Sequence, residues 1–184
     1  MTIFFTADQH FNHSAIIEYV ERPFKTVEEM NDGLTERWNG VVRRGDIVYC
    51  LGDFALCGPT KAIEFMQALN GFIRLVPGGH DKRWLTKRVR VEREGLMVVE
   101  APLISKHFGS VIVTLCHYPM LSWEKSHYGA LHFHGHAHGT IGRSSKSADI
   151  LFPKGQGPGF RVDVGVDCWD YQPVALDTLL ETYA

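Results

Sequence analysis

The apolar positions of this chain fall into short runs that each close on a polar residue, with amphipathic stretches between them in the first half. Residues 2–7 run into Asp8-Gln9-His10, residues 46–51 into Gly52-Asp53-Phe54, and residues 72–76 into Pro77-Gly78-Gly79-His80-Asp81. Apolar runs of this length bounded by turn residues predict buried strands. Between them, His13-Ser14 opens a short helix that ends before Pro23, with Ser14 as its candidate cap. Thr26-Val27-Glu28-Glu29 has the form of a capping box. Val27, Met30, Leu34, Trp38 and Val41 then keep the 3–4 spacing of a core-facing helix. Residues 60–70 predict another helix through Ile63, Met66 and Leu69, stopped by Gly71. Three βα units in succession predict an α/β core.

The second half reads differently. Residues 96–100, 103–107, 111–116 and 160–166 predict strands, the middle two joined across Phe108-Gly109-Ser110, and residues 175–183 predict a closing helix. A second sheet packed on the first is the expected arrangement, and the 184 residues suffice for one domain, 1–184. Hydrophobic content of 45%, charged content of 22% and a formal charge of −2 are ordinary for a soluble protein and give no global pull toward nucleic acid or a membrane. No signal-peptide pattern or apolar run of membrane-spanning length is present in the sequence, and Cys50, Cys57, Cys116 and Cys168 lack CxxC spacing. Reduced cysteines and a cytoplasmic location are expected.

The chemistry concentrates in Leu131-His132-Phe133-His134-Gly135-His136-Ala137-His138-Gly139. While the chain stays extended, four imidazoles at alternate positions point to one face. Gly135-His136-x-His138 favours metal binding, whereas His132 or His134 alone reads equally as a polar strand residue. Asp8 and His10, two apart at a strand end, share a face and can reach one ion, although Asp8 alone also suits a turn cap. Asp53 repeats the strand-end placement, where ligands of α/β folds collect. A basic excess at 82–93 (Lys82, Arg83, Lys87, Arg88, Arg90, Arg93) reads as a solvated face or as an attractor of phosphate toward His80.

The ordered set Asp8-x-His10, Gly52-Asp53, Gly79-His80-Asp81, His117 and Gly135-His136-x-His138 resembles the calcineurin-like metallophosphoesterase superfamily. Asp8 to His13, Arg22-Pro23-Phe24 and Val164-Gly165-Val166-Asp167 look like its small bacterial and phage-type members. The resemblance implies a four-layer α-β-β-α sandwich, two mixed sheets flanked by helices, with a two-metal centre above the sheets. Asp8, His10, Asp53 and His138 would hold one ion, and Asp53, His117 and His136 the other. Two ions would clamp the oxygens of an in-line displacement and yield the attacking hydroxide near neutral pH, with His80 protonating the leaving group. Mn²⁺ is favoured for such mixed carboxylate and imidazole ligands, with Fe, Zn²⁺ and Ni²⁺ as other candidates.

The family carries asparagine where this chain has Gly79, so the second site lacks one side-chain oxygen. A water in its place, a weak second ion, a damaged site or a glycine required for positive φ are the alternatives. His13 would touch substrate phosphate or cap its helix; His132 and His134 would be supporting residues. The expected partner is a phosphate ester, a nucleotide among the candidates, with no membrane partner and no nucleic acid. The rival readings are a non-catalytic or weakly active binding module on the same fold, and, on the basic run alone, a nuclease. Oligomeric state is not legible.

Overall fold

In a computed structural model, which describes residues 1–86, 95, 97–141, 144–145 and 159–183, the strands Ile3–Thr6 (β1), Ile47–Cys50 (β2), Phe72–Leu75 (β3) and Met97–Val99 (β4) pair in parallel in that order. Thr6, Cys50 and Leu75 lie opposite one another. The loops that follow therefore leave the sheet at one level, which puts Asp8, Asp53 and the 78–81 segment side by side. A second sheet has the order β5-β6-β7-β9-β8, from Leu103–Phe108 (β5), Val111–Cys116 (β6), Leu131–His134 (β7), Ser144–Ser145 (β8) and Arg161–Asp163 (β9). Its β6, β7 and β9 are parallel, while β5 and β8 are antiparallel edges. Val174–Ala175 (β10) closes the first sheet antiparallel to β1. Both sheets are mixed, and the chain is an α/β protein of two sheets flanked by helices.

Strand alternation splits the apolar side chains into two cores. Phe5, Tyr49 and Leu51 point to the interior between the sheets and meet Val113, Leu115, Phe133 and Val162. Phe5 stacks on Tyr49 at 5.3 Å and meets the edge of Phe133 at 4.9 Å. The helix Leu176–Tyr183 (α4) adds Leu179 to this layer. On the other face of the first sheet, Phe4, Val48, Ile73 and Leu75 pack against helices Ala15–Tyr19 (α1), Val27–Val41 (α2) and Pro59–Ala68 (α3). Met30, Leu34 and Trp38 of α2 are buried there, as the 3–4 spacing predicts, each burial stabilising by roughly 1.5–3 kcal/mol.

Half of the expected capping box forms. Thr26 Oγ1 accepts the Glu29 N–H at 3.2 Å, but Glu29 reaches one residue further back, to the Lys25 N–H. Ser14 occupies the cap position of α1 with a helical backbone and no side-chain cap bond.

The outer face of the second sheet carries buried polar residues: Thr114, His132, His134, Arg161 and Asp163. Among the described residues its cover is an irregular segment with Trp123 and a single 3-10 turn, Ser126–Tyr128. Arg161 donates to the Met120 carbonyl at 3.0 Å and so ties this cover to the sheet. Most of the basic run at 82–93 lies outside the described residues; Lys82 and Arg83 stand in a 3-10 turn, Asp81–Arg83.

Candidate metal centre

The residues expected to ligate metal leave their strands through left-handed backbone. Asp8 (φ 60), His10 (φ 53), Asp53 (φ 53), His136 (φ 67) and His138 (φ 47) all lie in this sparsely occupied region. Such a conformation costs a non-glycine residue of order 1 kcal/mol or more and persists only where its surroundings enforce it. This corrects the expectation of a single extended face. β7 ends at His134, with His132 and His134 on the polar outer face of the sheet. The turn at Gly135 then redirects His136 and His138 toward β1. Only glycine fits there, since a Cβ would lie 2.5 Å from Asp8 Oδ2. The same Asp8 oxygen accepts the His136 N–H at 2.8 Å.

Asp8, His10 and His138 each present a donor atom within 4.8 Å of the others, and so do Asp53, His117 and His136. Asp53 lies between the two trios. Its Oδ2 is 3.8 Å from His10 Nε2, 3.4 Å from His117 Nε2 and 3.8 Å from His80 Nε2. His80 completes a further trio with His10 and Asp53, but its side chain is 44% exposed where that of Asp53 is 4%. Its own N–H donates to Asp53 Oδ1 at 2.8 Å.

Backbone and side-chain partners fix the imidazoles. His117 Nδ1 donates to the Leu51 carbonyl at 2.8 Å and His138 Nδ1 to Asp167 at 2.7 Å, which turns each Nε2 toward the centre. His10 Nδ1 pairs with His13 Nδ1 at 3.0 Å. His13 therefore braces His10 from the rim, and its ring is spent on that contact rather than on a helix end. Gly79 does not have a positive φ, so no conformational requirement for glycine exists there.

Whether a cation fits is decided by three buried donor atoms. Asp8 Oδ1, His10 Nε2 and His117 Nε2 have no hydrogen-bond partner. Leaving one such group unpaired ordinarily costs about 1–3 kcal/mol, and the three cluster: His10 Nε2 lies 4.0 Å from Asp8 Oδ1 and 3.8 Å from Asp53 Oδ2, and His117 Nε2 lies 3.4 Å from the same Asp53 oxygen. Without an ion the charges are also poorly balanced. Burial raises the Asp8 pKa to about 7, against the pull of His138 and His117. Burial pushes His10 down to about 2. Burial would raise Asp53, yet His117, the His80 N–H and His10 hold it below the usual carboxylate range. His117, which burial alone would lower, is raised to about 9 by Asp53 and Asp8. Two carboxylates and several unpaired imidazole nitrogens suit one or two divalent cations.

Two further residues shape the centre, and their role was not read from the sequence. Asp81 is fully buried and accepts the N–H groups of Asp53, Phe54 and Gly78 and the indole N–H of Trp84, at 2.7–3.1 Å. It ties the loop after β2 to the loop after β3. Asp167 binds His138 and takes Arg22 through Nε and Nη2, while Arg22 also donates to the Asp8 and Gln9 carbonyls. Both aspartates stand in the quoted motif segments, which was the available signal; neither segment says what its carboxylate touches.

No family model matches the chain. The uncharacterized protein MJ1445 of Methanocaldococcus jannaschii is 35% identical over 181 residues, covering 97% of this chain and 89% of that protein. The gene 66 protein of Mycobacterium phage L5 is 29% identical over 162 residues, 74% of this chain and 77% of the phage protein. Among solved structures, the protein of unknown function AQ665 from Aquifex aeolicus shares the fold, with a TM-score of 0.68, 19% identity and 98% of both chains covered. The chain belongs to one family with the MJ1445 protein. The expected His/Asp cluster is present.

A cavity of about 400 Å³ opens over Asp53, His80 and His136 and extends to His13, Ile16 and Tyr19. Its floor is the candidate centre and one wall is α1.

Proposed function

We propose that this protein is a metal-dependent phosphoesterase hydrolysing phosphomonoester or phosphodiester bonds. The observation that carries the reading is the clustering of the unpaired Asp8 Oδ1, His10 Nε2 and His117 Nε2 around Asp53, the two imidazole nitrogens 3.8 and 3.4 Å from its Oδ2 and Asp8 Oδ1 4.0 Å from His10 Nε2. Asp8, His10 and His138, with Asp53, would hold one divalent ion; Asp53, His117 and His136 would hold the second. Two such ions, Mn²⁺ favoured and Fe, Zn²⁺ or Ni²⁺ as alternatives, supply a Lewis acid for the phosphoryl group and a lowered pKa for water at neutral pH.

The chain's own residues then have separable tasks. Asp53, buried between the trios, holds them at a fixed spacing. Asp81 fixes the Asp53 backbone, and Asp167 and Leu51 hold the imidazoles in one tautomer. His80, fixed through its N–H yet exposed to the cavity, is placed to protonate a leaving oxygen. His13 and Gly79 border the position of the substrate phosphate.

The same reading takes residues 1–184 as one domain acting in the cytoplasm on a small phosphate ester, a nucleotide among the candidates. The four cysteines are free, and no helix among the described residues is long and apolar enough to cross a membrane. The test is to strip the protein of metal and assay p-nitrophenyl phosphate and bis-p-nitrophenyl phosphate with Mn²⁺ restored. Turnover that returns with metal supports the proposal. Tight metal binding with no turnover of either ester would instead favour a non-catalytic binding module, the reading that Gly79 supports.

A further inference from the structure

The Asp53–His117–His136 trio offers three donors, whereas Zn²⁺ ordinarily takes four and Mn²⁺ about six. The open side of this trio is bordered by Gly79, which has no side chain to contribute. A Cβ built on Gly79 would meet two atoms within 4 Å: Tyr118 Oη at 3.2 Å and Asp53 Oδ1 at 4.0 Å. The gap at Gly79 thus lies between the bridging carboxylate and a phenol oxygen.

Tyr118 is held in this place from two sides. Its ring packs edge-on against His117, with centroids 4.7 Å apart, and against His136, 4.8 Å apart. Its carbonyl lies 3.2 Å from His132 Nε2, and the Met120 N–H donates to the same nitrogen. Tyr118 remains 47% exposed.

We propose that the Tyr118 hydroxyl is the fourth donor of the Asp53–His117–His136 metal position, standing where Gly79 leaves a gap. The inference rests on the reading that this trio holds a metal ion. It explains why the position tolerates glycine: the oxygen comes from the residue after His117 instead of the residue before His80. It also predicts that Tyr118 and Gly79 are coupled, so that an oxygen supplied at one makes the other dispensable.

Calorimetric titration of the metal-free protein with Mn²⁺ tests this without reference to activity. The binding event abolished by His136→Ala identifies the position concerned. Tyr118→Phe removes one oxygen atom and is expected to weaken that event about tenfold while leaving the other unchanged. In a Gly79→Asn background the same Tyr118→Phe change is expected to have little effect, because the carboxamide then supplies the donor. Superimposable isotherms for wild type and Tyr118→Phe would overturn the proposal, as would equal weakening of both events. Two binding events in wild type that ignore Tyr118 sink this inference alone; no Mn²⁺ binding by wild type sinks the metal reading with it.

Discussion

Asp167 accepts the Nδ1–H of His138 at 2.7 Å across 29 residues of sequence, and its carboxylate also receives the Arg22 guanidinium at 2.8 and 2.9 Å. Burial would raise the Asp167 pKa, but His138 and Arg22 hold it below the usual range. The carboxylate therefore stays ionised and keeps His138 Nε2 aimed at Asp8 and His10. Asp167→Asn is expected to weaken Mn²⁺ binding by roughly 10–100-fold, the usual consequence of losing a partner behind a ligating imidazole. Calorimetry reads the change. Unaltered affinity in a folded variant would show that His138 needs no such support. Asp167→Ala should in addition leave the buried Arg22 uncompensated and cost roughly 3–5 kcal/mol in urea denaturation.

Asp53 belongs to the trio with His117 and His136, and its Oδ2 lies 3.8 Å from His10 of the other trio, so its loss should affect both ions. Asp53→Ala is expected to reduce bound metal from two equivalents toward none, because a bridging charge offsets much of the repulsion between two cations. Elemental analysis after gel filtration measures this. Full occupancy in that variant would mean that Asp53 does not bridge.

His80 should behave in the opposite way. Its side chain is open to the cavity and lies outside the two trios assigned as ligand sets. His80→Ala is expected to retain metal and lower turnover by roughly 10²–10⁴-fold, with the largest losses on esters of poor leaving groups. A loss equal across leaving groups would remove His80 from that role, and a loss of metal would instead make it a ligand, as its trio with His10 and Asp53 allows.

Much of this arrangement was legible because parallel strands are nearly continuous apolar runs with polar residues at their mouths. β1, β2 and β3 follow from that pattern, and Asp8, Asp53 and His80 from what ends it. The alternation rule failed at His136 and His138. It assumes an extended chain, and positive φ is invisible to periodicity in residues other than glycine. The roles of Asp81 and Asp167 were hidden for another reason. Their partners lie on other loops, 28 and 145 residues away for Asp53 and Arg22, and only the folded register of the sheets brings them together. The cover of the second sheet's outer face lacks a helical period, and Trp123 and Arg161 hold it by contacts that no local pattern encodes.

His132 gives the fold a pH dependence that can be separated from the metal centre. Its Nδ1 donates to the Thr114 carbonyl and its Nε2 accepts the Met120 N–H, so the neutral ring is the one that fits. Burial lowers its pKa to about 4; the nearby His134 and Arg161 act in the same direction, against the Thr114 and Tyr118 carbonyls. The sign follows from proton counts. Above pH 6.5 the ring is neutral both folded and unfolded. Between pH 6.5 and about 4 the unfolded chain takes up a proton that the folded protein refuses, so stability falls as the solution is acidified. The full effect is roughly 3 kcal/mol. Asp8, with its pKa raised to about 7, contributes the opposite slope throughout this range, so the comparison must be between wild type and His132→Gln at each pH. The glutamine variant should be less stable than wild type near pH 7, and the gap should narrow toward pH 4. Protonation would turn His132 Nε2 from an acceptor of the Met120 N–H into a donor toward the Tyr118 carbonyl, so acid should release the Met120 N–H, seen as faster amide exchange at that residue. A stability gap that stays constant from pH 7 to 4 would mean that His132 takes its proton as readily folded as unfolded.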